Sequence, residues 1–127
     1  MSKTKVLVAE DNSESLRFLC ETLEDEGFSV MVAANGEKAI QILNEIKPDV
    51  IVTDLMMPLF SGGDLIRYVR KNRALAQIPI VVASGYGKRY ESEALSAGAT
   101  EVLQKPIDIG LLIDTIRKTS LLLAASQ

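Results

Sequence analysis

Short, nearly unbroken apolar runs alternate with longer amphipathic segments five times along the chain. The runs are 5–9 (KVLVA), 28–33 (FSVMVA), 50–53 (VIVT), 78–83 (IPIVVA) and 100–103 (TEVL). Their β-branched content and the turn residues at their ends predict strands. Between them apolar positions recur with a period of about 3.6 residues, the signature of one helix face turned to a core. Leu16, Leu19, Cys20 and Leu23 form one stripe, Ala39, Ile42, Leu43 and Ile46 a second, and Leu112 with Ile116 part of a last one. Gly27 is expected to close the first helix and Pro48 the second, while Gly98 follows the fourth; each is a residue type that stops helix propagation. Strands that are apolar on both faces and separated by helices imply a parallel sheet covered on both sides. The predicted class is therefore α/β, a doubly wound (βα)5 arrangement. No repeat, low-complexity tract or Gly/Ser/Pro linker interrupts it, so residues 1–127 read as one domain. The closing SLLLAASQ is more continuously apolar than a solvated last turn. Leu121, Leu122 and Leu123 are expected to finish the last helix against the sheet; otherwise they face a partner or continue into a removed segment.

Composition narrows the chemistry. The 127 residues contain no histidine and one cysteine, Cys20. A Ser-His-Asp triad, a His general base, a phosphohistidine and a Cys/His zinc site are all excluded on this chain. A lone cysteine forms no intramolecular disulfide, which suits a reducing, cytoplasmic setting. The N-terminal apolar run is too short for a signal peptide, and no stretch approaches the roughly 20 apolar residues of a membrane span. With 17 acidic against 14 basic side chains, a formal charge of −3, there is no basic footprint for nucleic acid.

In an open α/β sheet, ligands bind outside the carboxyl ends of the strands, so the residues just past each strand matter most. These are Glu10 and Asp11 after the first run, Asp54 after the third, Ser84 after the fourth and Lys105 after the fifth; the second ends in AANG, without an ionisable group. Three carboxylates crowded on one rim repel unless a cation neutralises them. Oxygen-only ligands favour a hard cation, and a small acidic cluster suits Mg²⁺ better than Ca²⁺. A carboxylate can also attack phosphorus to give an acyl phosphate, and Asp54 holds the central place on the rim. Such a transfer needs a metal, a lysine and a hydroxyl to take up charge on the phosphoryl oxygens. Taken singly, each residue has a plainer role: Asp11 could cap the first helix, Glu10 could be a loop charge, Asp54 a turn acid before Pro58, Ser84 a turn serine and Lys105 a surface amine. Their joint placement at strand ends favours the functional role.

The strings VLVAEDN, VIVTDLMMPLFSG, IVVASGY and VLQKP resemble the receiver domain of bacterial two-component response regulators over essentially the whole chain. The resemblance implies a flavodoxin-like sheet in the order 2-1-3-4-5. It implies that Glu10 and Asp11 hold Mg²⁺, with Mn²⁺ able to replace it, that Asp54 receives the phosphoryl group and binds metal, and that the backbone carbonyl of Met56 is a further ligand. Ser84 and Lys105 would contact phosphoryl oxygens, the bond between Lys105 and Pro106 would be cis, and Gly62 would open the third helix. Such a domain is not a classical enzyme but catalyses its own aspartyl phosphorylation and dephosphorylation. Its implied partners are a sensor histidine kinase or histidine phosphotransfer protein acting in trans, and a downstream protein target or output domain, with a phosphorylation-dependent homodimer as a further state.

Two departures from the family pattern carry expectations of their own. Val102 stands where the family usually has Tyr or Phe, the ring that turns inward with the hydroxyl residue, so activation is expected to be read from Ser84 and the following loop. Met56 and Tyr86, two residues past Asp54 and Ser84, are bulky and largely apolar, which predicts slow loss of the phosphoryl group because attacking water is kept out. Lys88, Arg89, Tyr90, Arg117 and Lys118 are expected to form a basic and aromatic read-out face. Val102 also leaves open an alternative, a pseudo-receiver that binds partners without being phosphorylated. A dinucleotide-binding domain fits poorly, since EDNSES after the first strand would repel a phosphate. An aspartyl phosphatase would want an acid where Met56 stands.

Overall fold

The computed structural model of the chain describes residues 3–85 and 87–125. Five strands and five helices alternate in the order β1 (Lys5–Ala9), α1 (Ser13–Asp25), β2 (Ser29–Ala33), α2 (Gly36–Leu43), β3 (Val50–Asp54), α3 (Gly62–Lys71), β4 (Ile80–Ser84), α4 (Lys88–Ala97), β5 (Glu101–Gln104) and α5 (Ile109–Ala125). All neighbours pair in parallel, in the order β2-β1-β3-β4-β5. The doubly wound α/β class and its strand order are thus as the sequence implies.

Alternate residues of each strand face opposite sides of the sheet. Leu7, Ala9, Ile51, Ile80 and Val82 pack with Ala39 and Leu43 of α2, Leu65, Ile66 and Val69 of α3 and Ala94 of α4. Val6, Val8, Val50, Val52, Val81 and Leu103 pack instead with Leu19 and Leu23 of α1 and Leu112, Ile113 and Ile116 of α5. The two-sided burial explains why the strands read as continuous apolar runs rather than alternating ones. Among the described residues no helix is long and apolar enough to cross a membrane.

Several boundaries differ from the sequence pattern, each for a local reason. Phe28 belongs to the end of α1: its N–H and that of Gly27 donate to the Leu23 and Glu24 carbonyls at 3.1 and 3.0 Å, with Gly27 at φ 95°. Ile78 lies in the turn before β4, its N–H bonded to the Leu75 carbonyl at 3.0 Å. The second helix stops at Leu43, well before Pro48, so Ile46 drops out of its stripe and is 42 % exposed. Leu121 and Leu122 do not close against the sheet but stand 69 % and 62 % exposed, whereas the Leu123 side chain lies outside the described residues. The α5 face that packs inward is set by Leu112, Ile113, Thr115, Ile116 and Thr119, which leaves both leucines on the opposite side.

Helix starts are chemically marked. Asn12 caps α1, Asn35 caps α2, and Ser61 forms a reciprocal capping box with Asp64 at α3. The Ser61 N–H, followed by Arg67, holds the Asp64 carboxyl below its ordinary pKa. Only α4 begins without a side-chain cap, at Gly87.

Arg70 ties the far end of the sheet together. Its Nε donates to the Gly98 carbonyl at 2.9 Å, and its Nη1 donates to the Ala76 and Ile78 carbonyls at 3.0 and 2.7 Å. Gly98 sits at φ 121°, and a Cβ there would meet Arg70 Cγ at 2.7 Å. One half-buried cation thereby satisfies the turns that lead into β4 and β5. Replacing it by Met keeps the aliphatic stem but strands these carbonyls, and should lower unfolding stability by about 2–3 kcal/mol in urea titration; a loss below about 0.5 kcal/mol would mean that water takes over the bonds. Leu59 is the one described non-glycine residue with positive φ, at 68°, and its side chain is fully exposed. Leu59→Asn should therefore raise stability by about 0.5–1 kcal/mol in the same titration, since asparagine tolerates the left-handed region that costs a leucine roughly 1 kcal/mol or more.

Candidate functional site

The strand order decides where the rim residues meet. Because β1 and β3 are neighbours while their following helices lie on opposite faces, a crevice opens at their carboxyl ends. Glu10 and Asp11 follow β1, and Asp54 is the last residue of β3. One carboxylate oxygen from each of the three lies within 4.8 Å of the others. Asp54 and Ser84 end their strands rather than follow them, which buries both, to 9 % and 1 % exposure. Asp11 is not the α1 cap: Asn12 takes that role, its Oδ1 accepting from the Ser15 N–H at 2.9 Å, and Asp11 stays exposed beside the other acids.

Lys105 reaches the same point from the far edge of the sheet. Its Nζ lies 3.1 Å from Asp54 Oδ2 and 3.6 Å from Glu10 Oε1. Burial alone would lower the Lys105 pKa; the hydrogen bond and charge of Asp54, joined by Glu10, outweigh it and hold the ammonium above its ordinary value. Glu10 is pushed up, first by burial and then by the nearby Asp54 charge, against the Asn12 N–H and Lys105, which pull it down. The Asn12 N–H donates to Glu10 Oε2 at 3.2 Å, a contact that the sequence pattern did not mark. The Lys105 backbone N–H donates to the Ser84 carbonyl at 2.9 Å, and the Lys105–Pro106 bond is cis.

The loop after β3 folds back hard onto the site. Gly62 donates its N–H to the Leu55 carbonyl at 2.9 Å, and a Cβ at this position would run into the Asp54 carbonyl oxygen and Leu55 Cα. Only glycine lets α3 begin this close to Asp54. Asp54 Oδ1 accepts a long bond of 3.4 Å from the Met56 N–H, and the Met56 side chain is half-exposed.

Three oxygen donors around a cluster with one ammonium suit a hard divalent cation. The acids carry three formal negative charges against one, and among the described residues no nitrogen or sulfur ligand joins the cluster. The residues present therefore fit Mg²⁺.

Beside this rim an apolar groove of about 240 Å³ opens between α1 and the loop joining β5 to α5, lined by Phe18, Leu19, Pro106, Ile107 and Ile109, with Glu10 and Lys105 at its wall. Phe18 is 56 % exposed. The period of α1 leaves Phe18 off the buried stripe; a large aromatic at a polar position was the available signal. The expected basic and aromatic face is less basic than its composition suggests. Arg117 turns toward Glu26 and the Phe28 ring, Lys118 pairs with Glu101 at 2.8 Å, and Arg89 lies 3.5 Å from Glu93. Tyr90 is half-buried and packs with Val102 against the α2–α4 side of the core. Tyr86 lies outside the described residues.

Comparison with known proteins gives a consistent result. The family model "Response regulator receiver domain" matches residues 6–117. The chain is 36 % identical over 103 residues to the sensor histidine kinase TmoS of Ectopseudomonas mendocina, covering 80 % of this chain but 10 % of that protein. It is 26 % identical over 113 residues to the polar-differentiation response regulator DivK of Brucella anthropi, covering 88 % of this chain and 92 % of that one. A response regulator receiver domain protein from Clostridium thermocellum superposes with a TM-score of 0.90 at 28 % identity, over 98 % of this chain and 99 % of that one. With its flavodoxin-like sheet and this match over most of its length, the chain belongs to the response regulator receiver domain family of two-component systems.

Proposed function

We propose that this chain accepts a phosphoryl group on Asp54 and thereby switches a partner-binding surface. The observation that carries the reading is the placement of Asp54, nearly buried, between two further acids and the Lys105 ammonium at 3.1 Å. A phosphohistidine acting in trans, or a small phosphodonor, supplies the group. An Asp54 carboxylate oxygen attacks phosphorus, the bond from phosphorus to the leaving nitrogen or oxygen breaks, and the bonding pair departs with the leaving group. Hydrolysis by water later returns the free carboxylate and inorganic phosphate.

Glu10, Asp11, Asp54 and the Met56 carbonyl would hold Mg²⁺, which when bound supplies positive charge beside the transferring oxygens. Lys105 takes up a second share of that charge, and its existing pairing with Asp54 orients the ammonium before the donor arrives. The Ser84 hydroxyl is the hydrogen-bond donor for a phosphoryl oxygen at the end of β4. Met56, on the loop past Asp54, shields the acyl phosphate from water in part. The apolar groove beside Glu10 and Lys105 is where a donor's helix would seat, since any protein that brings phosphorus to Asp54 must cover this rim, and Phe18 offers it an exposed ring.

Phosphorylation shifts the surface only through contacts that differ between the two states, here those of Ser84 and Lys105 with the new oxygens. Val102 has no ring to turn inward, so the loop after Ser84 and the start of α4 carry the change. The same Val102 favours a second reading, a pseudo-receiver that docks partners without phosphorylation.

Acetyl phosphate with Mg²⁺ should add one phosphoryl group, read by intact mass, and the addition should vanish in Asp54→Asn and with EDTA. Lys105→Met should slow it by about ten- to a hundredfold. A wild-type chain left unlabelled by both acetyl phosphate and phosphoramidate would establish the pseudo-receiver instead. Met56→Asn should shorten the lifetime of the phosphorylated form several-fold in a phosphate-release assay, by admitting and orienting water; an unchanged lifetime would remove Met56 from the shielding role.

A further inference from the structure

The two edges of the sheet are finished differently. The order β2-β1-β3-β4-β5 leaves β2 and β5 with one neighbour each. The β5 edge is guarded: it carries Glu101, which accepts from Lys118 of α5 at 2.8 Å, and Gln104, which donates to Glu91 of α4 at 3.1 Å. Charged side chains on an edge strand discourage the addition of a further strand. The β2 sequence, SVMVA, has neither a charge nor a proline, and it keeps an unbroken register with β1 without a bulge.

Parallel pairing decides which polar groups of β2 face outward. The Ser29 N–H donates to the Thr4 carbonyl at 2.9 Å, and the Ala33 carbonyl accepts from the Glu10 N–H at 3.1 Å. Within a strand the N–H and C=O of one residue point to the same side, and those of the next residue point to the other. Ser29, Met31 and Ala33 therefore serve β1. Val30 and Val32 hold their amides and carbonyls toward the open edge, where they meet no backbone partner among the described residues.

The side chains along that edge supply a place for a strand's own side chains. Val30 packs toward α1, and Val32, on the same face of the strand, is 43 % exposed. Beside Val32 lies a groove of about 390 Å³, walled by Leu16 and Cys20 and edged by Arg17, Glu21 and Glu24. Arg17 spends its charge on Glu21 at 3.0 Å. The Cys20 thiol, kept protonated by burial first and then by Glu24, donates to Glu24 Oε1 at 3.4 Å. Glu24 makes no ion pair among the described residues, so the groove is apolar at its wall and acidic at its edge.

We propose that the β2 edge docks an extended, basic and apolar segment of a partner protein as a further strand of the sheet. The segment bonds the outward amides and carbonyls of Val30 and Val32, sets an apolar side chain beside Val32, and places a lysine or arginine two residues away against Glu24. Main-chain bonds give such a strand its affinity, and the alternate side chains give it specificity. A second copy of this chain fits less well, since its β2 brings no basic residue and its groove is acidic too. The contact does not draw on the phosphoryl chemistry of Asp54. The Asp54→Asn chain should therefore bind like the wild type, and either reading can fail without the other.

Titration of the isotope-labelled chain with the peptide acetyl-Thr-Lys-Thr-Val-Thr-Lys-Thr-amide, whose lysines and valine share one face, tests it by NMR. The amide signals of Val30 and Val32 should shift, and their exchange with solvent should slow, as micromolar to millimolar peptide is added. Val32→Pro should abolish binding while the chain stays folded, because the ring removes an outward N–H that no bond to β1 uses. Glu24→Lys should weaken binding about fivefold or more. Methylating the peptide's backbone nitrogens at one alternate set of residues should abolish binding, and at the other set should leave it within about twofold. That contrast leaves the protein unaltered, so no folding defect would produce it. Unshifted Val30 and Val32 amides at millimolar peptide, methylated sets that behave alike, or Glu24→Lys binding as well as the wild type would each overturn the proposal. So would a chain that self-associates through β2 without peptide, which would assign the edge to a second copy.

Discussion

Three carboxylates at the ends of adjacent parallel strands are an unfavourable thing to build, and much of this structure answers that difficulty. Parallel pairing brings all carboxyl ends to one edge, and the order β2-β1-β3-β4-β5 sets the two acids after β1 beside Asp54. Burial then works against the Glu10 charge, and the neighbouring Asp54 charge adds to it, so the Glu10 pKa is raised. Among the described residues Lys105 is the single cation sent into the cluster, and it arrives because β5 ends level with β4, where its backbone N–H bonds the Ser84 carbonyl. One positive charge leaves the site acidic.

The fold was legible because its burial is simple. A strand covered on both faces must be apolar throughout, so the five runs stand out whatever their exact register. The ends were less legible, because a terminal residue is decided by single hydrogen bonds rather than by periodicity. Phe28 pairs back onto α1 through Leu23, and the second helix halts at Leu43 although no strong breaker comes before Pro48. The site residues could be picked out because each sits at a strand end, where topology alone gathers them. Asn12 capping α1 in place of Asp11 could not be settled that way, since both residue types cap well and stand side by side. The exposed leucines of α5 ran against the pattern for a further reason. Two buried threonines, Thr115 and Thr119, spend their hydroxyls on the helix's own Leu111 and Thr115 carbonyls, so they take core positions that an apolar count would assign elsewhere.

The helices are not equally fastened. The starts of α1, α2 and α3 are capped by Asn12, Asn35 and Ser61, and α3 is further held at its far end by the Arg70 bonds. Helix α4 has no side-chain cap, begins at Gly87 in a left-handed conformation and buries one residue fully, Ala94. A segment with few buried apolar contacts and uncapped N–H groups is the one whose local opening is least costly. This segment begins four residues after Ser84 in the sequence. Position 102 carries only a valine, and Tyr90, from α4 itself, packs against the same side of the core. A ring carried by the helix must travel with it. On the proposed reading, a hydrogen bond newly made by Ser84 then acts on the least anchored element of the molecule through backbone it adjoins, and Tyr90 reports the shift because it is part of what moves.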